Sequence, residues 1–141
     1  MYRETRRGFQ QIYMHLALDL AQRSTCERLK VGCVITSVDY RQIYAIGYNG
    51  NASGFPHRCD HADRPGACGC VHAEANAITN SMAPHGIPKL VFCTHGPSCV
   101  HCAKMLVNMG GVQQFYYSER YRSEAGLEVF NTAGIKMTQV L

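Results

Sequence analysis

The sequence predicts an α/β fold in which a five-stranded mixed sheet has helices on both faces. Three observations predict it: an amphipathic first segment, two β-rich runs that follow it, and alternating helices and strands from residue 72 onward. Strands that alternate with helices of this length need crossover connections, so their pairing is at least partly parallel. The 141 residues suit one domain, residues 1–141, which is large enough to bury a hydrophobic core.

The first half of the chain predicts a helix and a hairpin. Apolar side chains near the N-terminus recur at helical spacing, at Phe9, Ile12, Leu16 and Leu20. They predict an amphipathic helix over about residues 8–23. Residues 31–36 and 42–48 predict two strands that pair as a hairpin around Asp39 and Tyr40.

The segment 49–71 predicts a long loop that is held in place by something other than secondary structure. It is rich in Gly, Pro, Asn, Asp and Cys and has no apolar period. Loops of this length are uncommon in compact domains unless they are functional or tied down. A bound metal is the simplest explanation, because the loop contains Cys59, His61, Cys68 and Cys70.

The second half predicts three further helices and three further strands. The helices are predicted over residues 72–81, 99–109 and 124–133, and the strands over residues 89–94, 112–117 and 135–140. Glycines mark two of the helix ends, at Gly110-Gly111 and at Gly134, because glycine readily adopts the left-handed conformation that follows a helix.

Composition excludes several classes of protein. We expect no membrane association, because the chain has no apolar stretch of spanning length, and residues 1–7 are basic without the apolar core of a signal peptide. Eight cysteines without an export signal favour the reducing cytoplasm and metal binding over disulfides. The net charge of +4 is too small and dispersed to predict a nucleic-acid surface.

A histidine and a C-x-x-C pair predict a catalytic zinc site. His72, Cys99 and Cys102 supply three ligands, and the open fourth position of such a site holds a water that ionises near neutral pH. His72 and Cys99 each open a predicted helix, where the helix dipole stabilises a thiolate. Glu74 lies two positions from His72 and so faces another way, which suits a general acid–base rather than a ligand.

Two alternatives to a catalytic zinc stay open from the residues alone. A closed structural site could recruit His95 or His101 as a fourth ligand, in a zinc-stabilised module that binds nucleic acid or another protein. A redox dithiol would fit the C-x-x-C pair, but it has no need of the upstream His-Ala-Glu.

These motifs resemble those of a known enzyme family. The pattern H-x-E…P-C-x-x-C is that of zinc nucleobase deaminases, with Ser98 inserted here between Pro97 and Cys99. Within that superfamily the chain resembles deoxycytidylate (dCMP) deaminases of phage and bacterial type over nearly its whole length. The matching segments are RSTCER (23–28), VGCVI (31–35), GYNG (47–50), HAEANAI (72–78) and CVHCAK (99–104).

The resemblance implies a fold and a reaction. The fold is the three-layer α/β/α cytidine-deaminase-like fold, and the reaction is the zinc-dependent hydrolysis of dCMP to dUMP and ammonia, which feeds thymidylate synthesis. Glu74 is then the catalytic proton carrier. Other deaminase substrates, free cytidine or adenosine in tRNA, are the enzymatic alternatives.

The resemblance also implies substrate-binding residues. Asn49 is expected to bind the deoxyribose, with Ala73 beside it, while Arg28, Tyr121 and Arg122 are expected on the 5′-phosphate. Arginine forks match phosphate oxygens, and a tyrosine hydroxyl adds a donor.

Further features of the family are expectations for this chain. A second, structural zinc is expected on Cys26, Cys59 and Cys70 with Cys68 or His61 as the fourth ligand, whereas Cys33 and Cys93 are expected to be buried strand residues. A hexamer is expected, activated by dCTP with Mg²⁺ and inhibited by dTTP. The effector site is expected to include Gly47, Tyr48, Asn49 and Gly50.

Overall fold

The computed structural model describes residues 6–141 and has the predicted α/β architecture. The expectation about residues 1–7 falls mainly outside the described residues. The helices are α1 (Phe9–Ala21), α2 (Ala73–Asn80), α3 (Val100–Met109) and α4 (Ala125–Ala133). The strands are β1 (Gly32–Ser37), β2 (Ile43–Tyr48), β3 (Lys89–Gly96), β4 (Val112–Arg120) and β5 (Lys136–Gln139).

One mixed sheet contains all five strands in the order β2-β1-β3-β4-β5. β1 pairs antiparallel with both β2 and β3, whereas β3, β4 and β5 are parallel. The parallel half follows from the helical crossovers α3 and α4, which return the chain to the same end of the sheet before the next strand begins.

Helices cover both faces of the sheet, as predicted. α1 packs on one face, where Met14 and Ala17 meet Val34 and Phe92 in a buried cluster. The other three helices pack on the opposite face, in a larger buried cluster that includes Ala77, Leu106 and Phe130 with the strand residues Cys33, Val91, Cys93 and Phe115. Cys33 and Cys93 are fully buried opposite each other, which confirms them as strand residues.

Two strands extend further than predicted. The predictions ended β3 at residue 94 and β4 at residue 117, whereas these strands reach Gly96 and Arg120. The residues beyond the predicted strand ends are mostly polar, so they lack the apolar pattern of a buried strand. They nevertheless pair in the parallel ladder, with His95 opposite Glu119. This extension carries polar side chains to the end of the sheet at which α2 and α3 begin.

The segment between β2 and α2 is the predicted long loop. Residues 51–70 contain neither a helix nor a strand, and a bridge between Gly50 and Val71 brackets them. Among residues 6–141 the structure contains no helix with both the length and the apolar character needed to cross a bilayer.

Candidate active site

The three predicted zinc ligands meet where two helices begin. His72 is the N-cap of α2 and Cys99 the N-cap of α3, with Cys102 in the first turn of α3. His72 Nδ1 lies 3.4 Å from Cys99 Sγ and 3.4 Å from Cys102 Sγ. Zinc bonds of about 2.0 Å to nitrogen and 2.3 Å to sulfur place such donors about 3.5 Å apart in a tetrahedron. The donor set therefore fits a zinc ion.

The electrostatics of this group favour a metal-binding thiolate. A hydrogen bond from the Cys102 side chain, aided by His72 and by the Cys102 amide, lowers the pKa of Cys99 to about 4. The pKa of Cys102 is raised by its hydrogen bond to Cys99 and by burial. One thiol is thus ionised before metal binding, and the cation must displace the proton of the second.

Only these three donors form the group among the described residues, so the fourth position is not filled by protein. The two histidines considered as a closing ligand lie elsewhere: His95 Nε2 faces Glu119, and His101 is exposed on α3. A three-donor group is the form of a catalytic zinc site rather than a structural one.

Glu74 lies in the first turn of α2 and is almost completely buried. Burial raises the pKa of its carboxyl, and the neighbouring Ser98 hydroxyl acts in the opposite direction. It is not part of the three-donor group. A carboxyl with a raised pKa beside a metal site is suited to accept and return a proton near neutral pH.

The inserted Ser98 leaves the ligand spacing intact. Ser98 is buried immediately before α3, and Cys99 still accepts the Cys102 amide as a helix cap at 3.4 Å. The Ser98 carbonyl lies against the α carbon of Gly126, where any larger residue would clash. Glycine at position 126 therefore lets the backbone of α4 approach the Ser98 carbonyl.

A cavity of about 420 Å³ opens from this centre, within the size range of small-molecule sites. All five predicted substrate-binding residues line this cavity, namely Arg28, Asn49, Ala73, Tyr121 and Arg122. His72, Glu74 and Cys99 line it as well. The Arg122 guanidinium lies over the Tyr121 ring at 4.8 Å, and Arg28 Nη1 donates to the Ala62 carbonyl. Three cationic or phenolic groups thus share the wall of one cavity with the metal centre.

Asn49 also has a structural function. Its Oδ1 accepts the Val31 amide at 2.8 Å, and its Nδ2 donates to the Leu29 carbonyl at 2.6 Å. These bonds fix residues 29–31, two of which line the cavity. Of the four residues of the Gly-Tyr-Asn-Gly turn, only Asn49 lines the cavity.

The second predicted centre consists of four cysteines. Cys26, Cys59, Cys68 and Cys70 form one group, and Cys68 rather than the alternative His61 completes it. The Sγ–Sγ distances are 3.7 Å for Cys26–Cys59, 3.9 Å for Cys26–Cys68 and 3.6 Å for Cys59–Cys70. Tetrahedral zinc thiolates place sulfurs about 3.8 Å apart, whereas a disulfide needs about 2.0 Å. The group therefore has the spacing of a closed zinc site.

Backbone amides support this four-cysteine centre. The Glu27 amide donates to Cys59 Sγ at 3.3 Å and the Arg28 amide to Cys26 Sγ at 3.5 Å. The Glu27 carboxylate in turn accepts the Cys59 amide at 2.9 Å. The centre thereby ties the long loop to the segment that carries Arg28.

Three polar residues that line the cavity were not predicted to do so: His95, Glu119 and Arg120. They lie at the carboxyl ends of the parallel strands β3 and β4, where α/β sheets commonly bind ligands. That rule could have identified them if the two strands had been predicted at their full length.

Comparison with known proteins decides the family. The profile described as "Cytidine and deoxycytidylate deaminase zinc-binding region" matches residues 8–119, most of the chain. The chain belongs to this deaminase family. The match includes both motifs of the three-donor centre and indicates a zinc-dependent hydrolytic deaminase.

Individual relatives support the same family. ComE operon protein 2 of Bacillus subtilis is 34% identical over 94% of this chain and 71% of its own length. The deoxycytidylate deaminase of Saccharomyces cerevisiae is 33% identical over 90% of this chain, which spans only 43% of that relative. The dCMP deaminase of cyanophage S-TIM5, solved with dCMP and dUMP, is 33% identical with a TM-score of 0.79, over 93% of this chain and 96% of that one.

Proposed function

We propose that this deaminase hydrolyses dCMP to dUMP and ammonia and so supplies dUMP for thymidylate synthesis. The observation that carries the proposal is that Arg28, Tyr121 and Arg122 line the same cavity as the zinc donors and Glu74. A free base or nucleoside has no anionic group for these residues to bind. The similarity to dCMP deaminases of yeast and cyanophage supports the same substrate.

The chemistry assigns a distinct task to each part of the cavity. A zinc ion on His72, Cys99 and Cys102 would acidify a bound water and so supply the nucleophile for C4 of cytosine. Glu74 accepts a proton from the attacking water and donates it to N3. It then takes the proton of the new C4 hydroxyl and passes it to the amino group, which leaves as ammonia. The cavity wall holds the nucleotide so that its base faces Glu74 and excludes bulk water from the reacting atoms.

A comparison of substrates tests the proposal. Ammonia release from dCMP, deoxycytidine and CMP is measured side by side with one zinc-loaded preparation, and dCMP is expected to have the highest kcat/KM. If deoxycytidine is hydrolysed as fast as dCMP, the phosphate-binding assignment is wrong. Absence of turnover of all three in a zinc-loaded preparation would contradict the proposed reaction itself.

We also propose a second, structural zinc on Cys26, Cys59, Cys68 and Cys70. The sulfur spacing and the amide donors described above support it. Cys59→Ser is expected to lower the zinc content from two ions to one per chain and to make residues 51–70 sensitive to limited proteolysis. Cys93→Ser, a buried cysteine outside both metal groups, serves as the control and is expected to keep two zinc ions.

A hexamer regulated by dCTP with Mg²⁺ and by dTTP is proposed on the resemblance of residues 47–50. Exposed apolar residues on α1 and on the edge strand β2, namely Phe9, Ile12, Ile43 and Ile46, support association of chains.

Sedimentation equilibrium measures the number of chains in the oligomer. A sigmoidal dependence of rate on dCMP that dCTP makes hyperbolic is the expected result, whereas hyperbolic kinetics indifferent to both nucleotides would remove the regulatory proposal.

A cytoplasmic location is proposed because the cysteines are free thiols in the structure. Both metal groups depend on reduced sulfur, which persists in a reducing compartment. Cell fractionation with a tagged chain is the direct test.

A further inference from the structure

A polar pair on the cavity wall has no part in the chemistry described so far. His95 and Glu119 lie opposite each other on the parallel strands β3 and β4, with His95 Nε2 3.5 Å from Glu119 Oε2. The His95 side chain is 16% exposed and that of Glu119 is 75% exposed. The histidine is therefore held within the wall, while the carboxylate lies at the mouth of the cavity.

Neighbouring groups fix the orientation of His95. The buried Thr94 hydroxyl accepts the Gly32 amide at 3.2 Å and lies 3.0 Å from His95 Nδ1. Its own hydrogen needs an acceptor, and Nδ1 is the acceptor within reach among the described residues. Nδ1 is then unprotonated, and Nε2 carries the hydrogen toward Glu119. Burial lowers the pKa of His95, which favours this neutral form.

Glu119 has an unusual position for a carboxylate in this cavity. Among the described residues that line it, Glu119 and the deeply buried Glu74 are the two carboxylates. The mouth is otherwise cationic, because Arg28, Arg120 and Arg122 line it. A carboxylate there repels a phosphate, but it is a strong acceptor for a hydroxyl group.

The proposed substrate, dCMP, carries such a hydroxyl on its deoxyribose, between the base and the phosphate. With the base at the metal centre and the phosphate near the arginines, the deoxyribose must lie between them. Asn49, the residue expected to bind the sugar, already accepts the Val31 amide through its side-chain oxygen. Glu119 has no comparable intramolecular donor besides His95 in the described part of the chain.

We propose that Glu119 recognises the deoxyribose by accepting a hydrogen bond from its 3′-hydroxyl, and that His95 holds the Glu119 carboxylate in the required orientation. Glu119 is thus a specificity-determining residue that touches the substrate. His95 is a positioning residue that acts through Glu119. The inference rests on the proposed function, since it takes dCMP as the substrate.

The test compares dCMP with 2′,3′-dideoxycytidine 5′-monophosphate, which lacks the 3′-hydroxyl. The wild-type enzyme is expected to prefer dCMP by about 10- to 100-fold in kcat/KM, the range of one hydrogen bond to a charged group. In Glu119→Ala the preference is expected to fall to about threefold or less. Both substrates are measured on the same preparation, so differences in zinc loading or in active fraction cancel in the ratio.

Further variants separate the two residues. His95→Phe removes the donor and is expected to reduce the preference, while His95→Gln keeps a donor and is expected to restore much of it. Glu128→Ala, an exposed glutamate of α4 outside the cavity, is the matched control and should keep the wild-type ratio.

The outcomes distinguish this inference from the proposed function. Absence of dCMP hydrolysis by the wild type would contradict the proposed function. Normal dCMP hydrolysis with an unchanged ratio in Glu119→Ala would overturn the sugar-recognition inference alone. A collapsed ratio in Glu119→Ala with a wild-type ratio in His95→Phe supports Glu119 and overturns the positioning role of His95.

Discussion

At the scale of single residues, two positions along the chain separate the proposed metal ligand His72 from the proposed proton carrier Glu74. His72 caps α2 and contacts both cysteine sulfurs, whereas Glu74 lies one half-turn on and is buried outside the donor group. Burial raises the pKa of Glu74 toward the range in which a carboxyl transfers protons efficiently. The helix geometry therefore supports the two different functions proposed for His72 and Glu74.

Substitution of Glu74 tests this division of functions. Glu74→Gln is expected to keep the fold and the zinc, because Glu74 is not a ligand, and to lower kcat for dCMP by about 100-fold or more. Ammonia release and zinc content are measured on the same sample. Loss of metal from Glu74→Gln would mean that the carboxylate binds the ion after all. The control is Glu128→Gln, an exposed glutamate of α4 outside the cavity.

Arg28 tests the phosphate assignment at the same scale. Arg28→Gln is expected to raise KM for dCMP by about 10- to 100-fold, because a hydrogen bond to a charged group is lost, with little change in kcat. Turnover of deoxycytidine should be unaffected. Arg41→Gln, an exposed arginine of the hairpin, is the control, and an equal loss toward both substrates in Arg28→Gln would assign Arg28 a structural role instead.

At the scale of elements, close contact between β2 and α2 places the zinc ligand. A side chain on Gly47 would lie 2.5 Å from the Ala77 amide nitrogen and closer still to the Ala73 carbonyl, so only glycine lets the strand reach the helix. Asn76 Nδ2 reinforces the contact by donating to the Tyr48 carbonyl at 2.8 Å. Gly47 and Tyr48, predicted as effector residues, therefore have packing functions in the described structure.

Replacing Gly47 tests this packing. Gly47→Ala is expected to lower the free energy of unfolding by about 1–3 kcal/mol or more, because the clash is with backbone atoms that cannot rotate away. Gly8→Ala is the matched control, since a Cβ at Gly8 meets nothing within 4 Å. Thermal or denaturant unfolding of both variants measures the difference, and equal stability would contradict the packing argument.

At the scale of the whole molecule, two sulfur-rich centres border one cavity but differ in their connection to the fold. The three-donor centre joins two helix termini that are packed against the sheet, whereas the four-cysteine centre holds a loop without helices or strands. The first group has three protein donors and lies beside the cavity, whereas the second has four protein donors. Loss of each metal should therefore have a different consequence.

Stepwise removal of zinc tests this difference. Mild chelation is expected to remove the open site's zinc first and to abolish deamination, with a small change in Tm. Stronger chelation is expected to remove the four-cysteine zinc and to lower Tm markedly. Zinc content, activity and Tm are followed on one sample. If the chain holds a single zinc ion, and activity and stability are lost together when that ion is removed, the proposal of two separate metal centres is wrong.

The sequence by itself predicted the α/β class, the three zinc donors and Glu74 as the proton carrier. Those features depend on spacing within one helix turn and on helix and strand periods, which are local properties of the chain. The structure confirms the α/β class and brings His72, Cys99 and Cys102 together as one donor group, whereas zinc binding by these residues and the role of Glu74 stay predictions.

Only the tertiary structure decided which side chains, distant in the sequence, lie together around the cavity. It selected Cys68 over His61, carried β3 and β4 beyond their apolar residues, and set His95 against Glu119. These contacts join positions that are 24 to 42 residues apart in the chain. These contacts arise because strands pair and a loop closes. Neither event leaves a periodic signal in the sequence, so sequence patterns could not predict them.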